Sequence, residues 1–265
     1  MTAIAPGVLQ YRSLIWNFAQ RDLKSRFKGT ALGWTWSLLL PLATLVIYTI
    51  VGHLFKIVPA RFGDGRKGNF AVWLFVGLTA WGFFTNAVNV SMGALLGTGT
   101  LLQKIYFPSF APVLGAVIGV MIQSAIEVSL VLVVLLVFTN VGFTWLLLPV
   151  WIALYAGFTA GAAMVFAIGN IYFRDLAHII AVFLQLLFYA TPILYQDSLI
   201  KNHVLHNVIM TNPLTEFVLL FRDLAYGLTP GRLNVWAGAL GWTAVAIALG
   251  TFVFHRFGRD LAEQM

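Results

Sequence analysis

Lys, Arg, Asp and Glu divide the chain into uncharged runs at 29–55, 68–103, 105–126, 128–173, 176–196 and 233–255. A helix crossing a bilayer needs about 20 apolar residues, whereas a barrel strand needs only about 10 with alternating polarity. These runs are continuously apolar, so the pattern predicts helices. The run 128–173 is too long for one helix and is broken by Thr139, Asn140, Val141 and Gly142, a polar, turn-prone stretch. Six spans follow, at roughly 36–56, 70–96, 111–138, 144–168, 177–195 and 233–254. No internal repeat or long polar linker is visible, so the expectation is a single domain over 1–265. Its fold class is an all-α integral membrane protein: six transmembrane helices, an N-terminal amphipathic interface helix and short re-entrant external helices.

Three segments do not read as simple spans. Within the cytoplasmic or interfacial stretch 1–34, residues 14–28 place Ile15, Trp16, Ala19, Leu23 and Phe27 on one helical arc, with Asn17, Gln20, Arg21, Lys24, Ser25 and Lys28 opposite. That pattern suits a helix lying on a membrane surface with its basic face toward headgroups, or one that also meets a cytoplasmic partner. Arg26 falls inside the apolar arc, where a long side chain can snorkel. In the external stretch 196–232, Asn212-Pro213 followed by Leu214, Phe217, Leu220, Phe221, Leu224 and Gly227 spells a capped amphipathic helix. It is too short to cross the hydrocarbon core and so is re-entrant or interfacial, either as a plain surface helix or at the mouth of a pathway. Between the second and third spans, Leu101, Leu102, Gln103, Lys104, Ile105, Tyr106 and Phe107 form an apolar knob with one basic residue. Such a knob docks on a partner or packs on the protein's own helices.

Composition strengthens the membrane reading, because 60% hydrophobic and 9% charged residues leave too little polar surface to cover a soluble globule. A soluble enzyme, a disordered chain and, with no cysteine, a disulfide scaffold are excluded. The net charge of +7 points to membrane lipids rather than nucleic acid, since the 16 basic residues flank apolar runs instead of forming one stripe. Five of them, Arg12, Arg21, Lys24, Arg26 and Lys28, precede the first span. Placing that flank in the cytoplasm puts nine basic residues inside against seven outside, and an even number of spans puts both termini on the cytoplasmic side. The expected location is the cytoplasmic (inner) membrane, multi-pass, with the N-terminus retained rather than cleaved as a signal peptide.

Chemistry is sparse. No G-x-x-x-x-G-K-[ST] loop cradles a nucleotide, and the nine carboxylates are scattered without a pair for acid–base work. His203 and His206 lack a third ligand, so no metal is expected. Glu127 is the one carboxylate deep within a span, placed for a hydrogen-bonded structural role with Gln123, Ser124, Asn86 or Asn89, or for a polar pathway. Catalysis by this chain alone is not expected.

Four blocks now bear on function: RDLKSRFKGTALGWTWSLLLPLATLVIYTIV (21–51), FVGLTAWGFF (75–84) leading to LLQKIYFP (101–108), YFRDLAHIIAVFLQLLFYATPILY (172–195) and NPLTEFVLLFRDLAYG (212–227). In this order they resemble the type-2 ATP-binding-cassette (ABC) export permeases for O-antigen, teichoic acid and galactan polysaccharides. The resemblance implies a homodimer paired with two separately encoded ABC ATPase subunits, which carry the ATP and Mg, and a lipid-linked polysaccharide as cargo. It implies no cofactor on this chain. It also implies that Leu101 to Phe107 couple to the ATPase beside the amphipathic helix, whose basic residues are Arg21, Lys24, Arg26 and Lys28. The first and fifth spans would then enclose a channel with Tyr48, Phe55, Phe188, Tyr189 and Tyr195 as its sugar-contacting aromatics. A Gly97-Thr98-Gly99-Thr100 lead into the coupling segment and a basic external loop (Lys56, Arg61, Arg66, Lys67) depart from the family pattern. An exporter of a smaller lipid or drug-like cargo, a membrane-embedded transferase and an ion-coupled carrier are the competing readings.

Overall fold

The computed structural model describes residues 10–27, 33–57, 60–98, 107–197, 200 and 202–258. Among these the chain is helical, with nine α-helices: α1 (Arg12–Phe27), α2 (Trp36–Leu54), α3 (Phe70–Leu96), α4 (Phe110–Val137), α5 (Leu148–Tyr172), α6 (Leu176–Ala190), α7 (His203–Met210), α8 (Pro213–Ala225) and α9 (Leu233–Phe257). Short 3-10 turns at Gly33–Thr35 and Phe143–Leu147 lead into α2 and α5.

Four helices are long and apolar enough to cross a bilayer: α3, α4, α5 with its leading turn, and α9. The apolar stretches of α2 (Leu38–Leu54) and α6 (Leu176–Ala190) are shorter. At about 1.5 Å per residue, α6 with 15 residues reaches only about 22 Å. It ends at Ala190, five residues short of the expected limit, because Pro192 has no N–H to continue the ladder and the Thr191 hydroxyl donates back to Leu187 O at 2.7 Å.

α3 is the hub. Its most apolar window is 78% buried, against 22% for α4 and 28% for α9, and it packs against α2, α4, α5, α6 and α8. An apolar helix enclosed on nearly all sides needs no polar face. Its start is fixed by Asn69, whose side-chain oxygen accepts from Ala71 N at 2.9 Å and Val72 N at 3.3 Å, meeting two of the orphan donors of a helix N-terminus. α9 lies along α5 where Gly161 meets Ala246 and Gly250 so closely that a Cβ on either glycine would strike the facing backbone, the small-residue contact by which membrane helices approach.

α8 does not lie on a surface. Leu214, Phe217, Val218, Leu220, Phe221 and Leu224 are all 0–1% exposed. An aromatic stack joins it to the bundle: Phe221 stacks on Trp151 at 4.4 Å and Phe217 on Tyr155 at 4.6 Å. Such pairs contribute roughly 0.5–1.5 kcal/mol each beyond area burial. The carbonyls that α8 cannot satisfy internally are met from the α4–α5 connection. Thr144 Oγ1 donates to Leu224 O at 2.7 Å, Trp145 Nε1 to Ala225 O at 3.3 Å and Asn140 Nδ2 to Tyr226 O at 2.8 Å. The α4–α5 connection that separates two helices is therefore also the cap of a third.

Candidate functional site

At one end of the bundle, α1 lies against α4. Ile15, Phe18, Ala19 and Leu23 are buried, and the approach depends on two glycines one helical turn apart. A Cβ on Gly115 would meet Phe18 Cβ at 2.5 Å and Ile15 O at 2.9 Å, and one on Gly119 would meet Asp22 Oδ2 at 2.8 Å. Trp16, expected on the apolar arc, is 47% exposed, and Phe18 takes its place. Arg26 turns inward: its Nε donates to Asp22 Oδ2 at 2.9 Å and its Nη1 to Gln123 Oε1 of α4 at 3.0 Å. Of the four basic residues expected on this helix, Arg21 and Lys24 sit on the exposed face with Asn17, Gln20 and Ser25, and Lys28 lies outside the described residues.

Leu101, Leu102, Gln103, Lys104, Ile105 and Tyr106 also lie outside the described residues. Phe107, the last of that group, packs on Ile15, Phe18 and Ala111, its ring 5.6 Å from that of Phe18. The end of the 101–107 segment and the amphipathic helix are thus neighbours. α9 ends close by, where Ser109 Oγ donates to Gly258 O at 3.4 Å.

The aromatic candidates separate. Tyr48 and Phe55 are on α2, Tyr48 half-buried and Phe55 exposed. Phe188 turns into the core, edge-on to Trp81 at 5.6 Å. Its neighbour Tyr189 is exposed. Tyr195 folds back, its hydroxyl donating to Tyr189 O at 3.2 Å and Ala190 O at 3.4 Å, so that it closes the end of α6. Both α2 and α6 carry an uncovered apolar face: Val46, Ile47, Ile50 and Leu54 on the first, Ile179, Val182, Phe183 and Leu186 on the second. Glu127 sits half-buried on α4. Among the described residues it makes no hydrogen bond to Gln123, Ser124, Asn86 or Asn89, and Gln123 is occupied by Arg26.

Sequence reasoning passed over the charged groups of α8. Arg222 is 5% exposed, and its guanidinium carbon lies 3.6 Å from the centroid of the Trp73 ring. Its Nη1 donates to Pro192 O, and its Nη2 to Ile193 O at 2.6 Å. Gly77 of α3 leaves the space that the guanidinium fills. Burial pulls Arg222 down to about 9, with the charge of Asp197 opposing. Burial likewise raises Glu216 to about 7, its carboxylate packed against Gly238 of α9. Asp223 is raised to about 6 by burial and by Asp197, with Arg232 opposing. One signal was present in the chain: Val218, Arg222 and Ala225 fall at i, i+4 and i+7, which puts the arginine on an apolar arc.

Among the described residues no group of three His, Cys, Asp or Glu could hold a metal ion. Comparison with known proteins gives the arrangement its context. The chain is 29% identical over 271 aligned residues to the O-antigen export system permease protein RfbA of Myxococcus xanthus, covering 100% of both chains. It is 30% identical to a protein of the same name from Klebsiella pneumoniae, over 92% of this chain and 91% of that one. Residues 13–226, which run from the second residue of α1 to just past α8, match the ABC-2 type transporter family, and the chain belongs to that family.

Proposed function

We propose that this chain is the membrane subunit of an ATP-driven exporter of a lipid-linked polysaccharide of the O-antigen class. The observation that carries the reading is the match to an O-antigen export permease over 100% of both chains. The fold supports it: a bundle with four helices, among the described residues, long and apolar enough to cross a membrane and no nucleotide-cradling loop in its sequence fits a subunit whose motor is another molecule. In this proposal α2 and α6 complete six spans in the cytoplasmic membrane, with both termini in the cytoplasm. Two copies of the chain pair through the uncovered faces of α2 and α6, and two copies of a separate ABC ATPase, with ATP and Mg, bind the end that carries α1.

ATP-driven closure is transmitted through Leu101 to Phe107, through Arg21 and Lys24 on the exposed face of α1, and through Lys28 that follows it in the chain. Phe107 acts from beneath by holding the segment against Phe18. Phe55 and Tyr189 are the aromatics free to meet sugar rings, while Tyr48, Phe188 and Tyr195 shape the wall behind them. α7 and α8 form the outer mouth, and Glu127 is a polar position inside the bundle.

The test is depletion of the protein followed by analysis of carrier-linked polymer. Accumulation of undecorated lipid-linked glycan on the inner leaflet is the expected result, and unchanged polymer distribution refutes it. Charge reversal at Lys104 with Tyr106→Ala is expected to weaken ATPase recovery in a pull-down while leaving the chain inserted.

A further inference from the structure

The end of the bundle opposite α1 holds a cleft whose basic residues the permease reading does not use. It lies between the last turns of α2 and the first turn of α3, and its volume is about 790 Å³, inside the roughly 300–1,000 Å³ range of small-ligand sites. Its charged lining is of one sign: Lys56, Arg61 and Lys67, with the imidazole of His53 beside them. No carboxylate lines it. The one acid of the connecting loop, Asp64, is taken by Arg66, whose Nη2 donates to Phe138 O at 2.8 Å. Among the described residues the ion pairs are Asp22–Arg26 and Asp64–Arg66, so the three cations of the cleft carry no counter-charge.

The cleft is held open by the fold. Tyr226, at the end of buried α8, donates its hydroxyl to Ala60 O at 2.8 Å and accepts from Asn69 N at 3.0 Å, tying both ends of the loop to the core. Gly68 is needed there, since any side chain would run into Ala60 O and the Tyr226 hydroxyl. Gly52 lets α2 close on the Phe70 ring, which a Cβ would meet at 2.9 Å. The polar lining also stands where two apolar helices stop, at Leu54 and Phe70, the level at which a bilayer presents its headgroups. Below it the same side of α2 continues with Tyr48 and Leu45, a turn further along the helix and apart from the Val46, Ile47 and Ile50 stripe.

Uncompensated cations beside the apolar side chains of Tyr48, Ile57, Phe70 and Ala71 in one cleft fit one ligand chemistry. From this geometry we infer that the α2–α3 cleft binds the anionic phosphate headgroup of a lipid whose hydrocarbon chain lies along α2. Lys56, Arg61 and Lys67 neutralise the phosphate, and Tyr48 and Thr49 border the chain. The headgroup has two sources, a membrane phospholipid or the phosphate of a lipid-linked cargo. Only the second rests on the export reading.

The experiment uses the full chain, delipidated in neutral detergent and titrated separately with phosphatidylglycerol, a polyprenyl phosphate, phosphatidylcholine and inorganic phosphate, with bound molecules counted by native mass spectrometry. Both anionic lipids are expected to bind, and Lys56→Gln with Arg61→Gln and Lys67→Gln to weaken them at least about tenfold while phosphatidylcholine is unaffected. Arg66→Gln, whose guanidinium is engaged outside the cleft, is expected to leave binding unchanged. Tighter binding of polyprenyl phosphate supports the inference and assigns the cleft to cargo; binding of phosphatidylglycerol as tight or tighter supports it and assigns the cleft to membrane lipid, and neither result depends on transport. Should the triple variant not remain monodisperse, Lys67→Gln alone carries the test, with about a fivefold loss expected. Equal lipid binding by the wild type and the variant overturns the inference, as does inorganic phosphate binding as tightly as either lipid.

Discussion

Burying a guanidinium is costly unless its donors are met, and Arg222 meets two of them with the carbonyls of Pro192 and Ile193 while its face covers Trp73. Removing it strands two buried acceptors and empties the space beside Gly77. Arg222→Ala is expected to destabilise the chain by on the order of 3 kcal/mol, read as a lower thermal midpoint in detergent. Arg222→Lys is expected not to restore it, because an ammonium can neither fork between two carbonyls nor stack on an indole; full recovery by lysine would refute that geometry. Glu216 behaves differently. Its folded value is raised to about 7, so the folded state prefers the protonated acid. The stability it contributes is complete below the ordinary carboxylate range and is lost as pH rises through about 7. Asp223, raised to about 6, adds a loss of the same sign at lower pH. The thermal midpoint should therefore decline from pH about 5 to pH about 8, and Glu216→Gln should flatten the upper part of that decline. A profile that the substitution leaves unchanged would mean the carboxylate is solvated. Neither residue was legible from sequence as a buried group. In a linear reading both are charges of an external segment, and their burial follows from α8 being enclosed by α3, α5 and α9, which local pattern does not encode. Glu127 was legible because charge within an apolar run needs no tertiary information to be noticed.

The helices themselves were readable because apolar runs bounded by charge or by turn residues leave few alternatives. α3 spans the expected 70–96, and α4 begins at Phe110 and ends at Val137, one residue from either expected limit. Where the reading missed, a specific interaction won. α5 continues to Tyr172 because no breaker intervenes before Phe173. Phe18 replaced Trp16 on the buried arc of α1 because Gly115 leaves room for the Phe18 Cβ and the backbone beside it, and a gap on another helix is invisible to periodicity along one. Gly115 gives the test at this scale. Gly115→Leu places side-chain atoms where Phe18 and the Ile15 carbonyl already are, and small-to-large changes at such a contact cost about 1–3 kcal/mol. The substitution should lift α1 from α4 while leaving insertion of the hydrophobic helices intact, since those are held by other contacts. The expected readout is faster proteolysis within residues 12–27 and reduced ATPase recovery. Gly93→Leu, at a position with open space around its Cβ direction, should change neither. Loss of membrane insertion by Gly115→Leu would mean that α1 is part of the core rather than a dock laid upon it.

At the scale of the molecule, α2 and α6 are the least engaged of the six expected spans, and each leaves an apolar stripe uncovered. Lipid can cover such a stripe, and so can a second copy; the two differ in whether fixed residue pairs recur. A two-fold interface is self-complementary, so a contact from α2 of one protomer to α6 of its partner must occur twice. The absence of cysteine in the chain makes the distinction clean, because every disulfide formed comes from introduced residues. Ile50→Cys on α2 combined with Leu186→Cys on α6 should give, under mild oxidation in membranes, a reducible species of twice the monomer mass. Its yield should be insensitive to dilution of the protein in lipid, and should change when the ATPase partner is trapped with nucleotide if the same faces move during transport. Leu233→Cys, exposed at the start of α9 on another side of the bundle, should give none. If the α2–α6 pair yields only monomer while the chain still copurifies as a dimer, the two copies meet elsewhere, and the aromatic residues Phe55 and Tyr189 lose their place in a shared passage. If dilution abolishes the product, random collision made it, and lipid rather than protein covers the stripes.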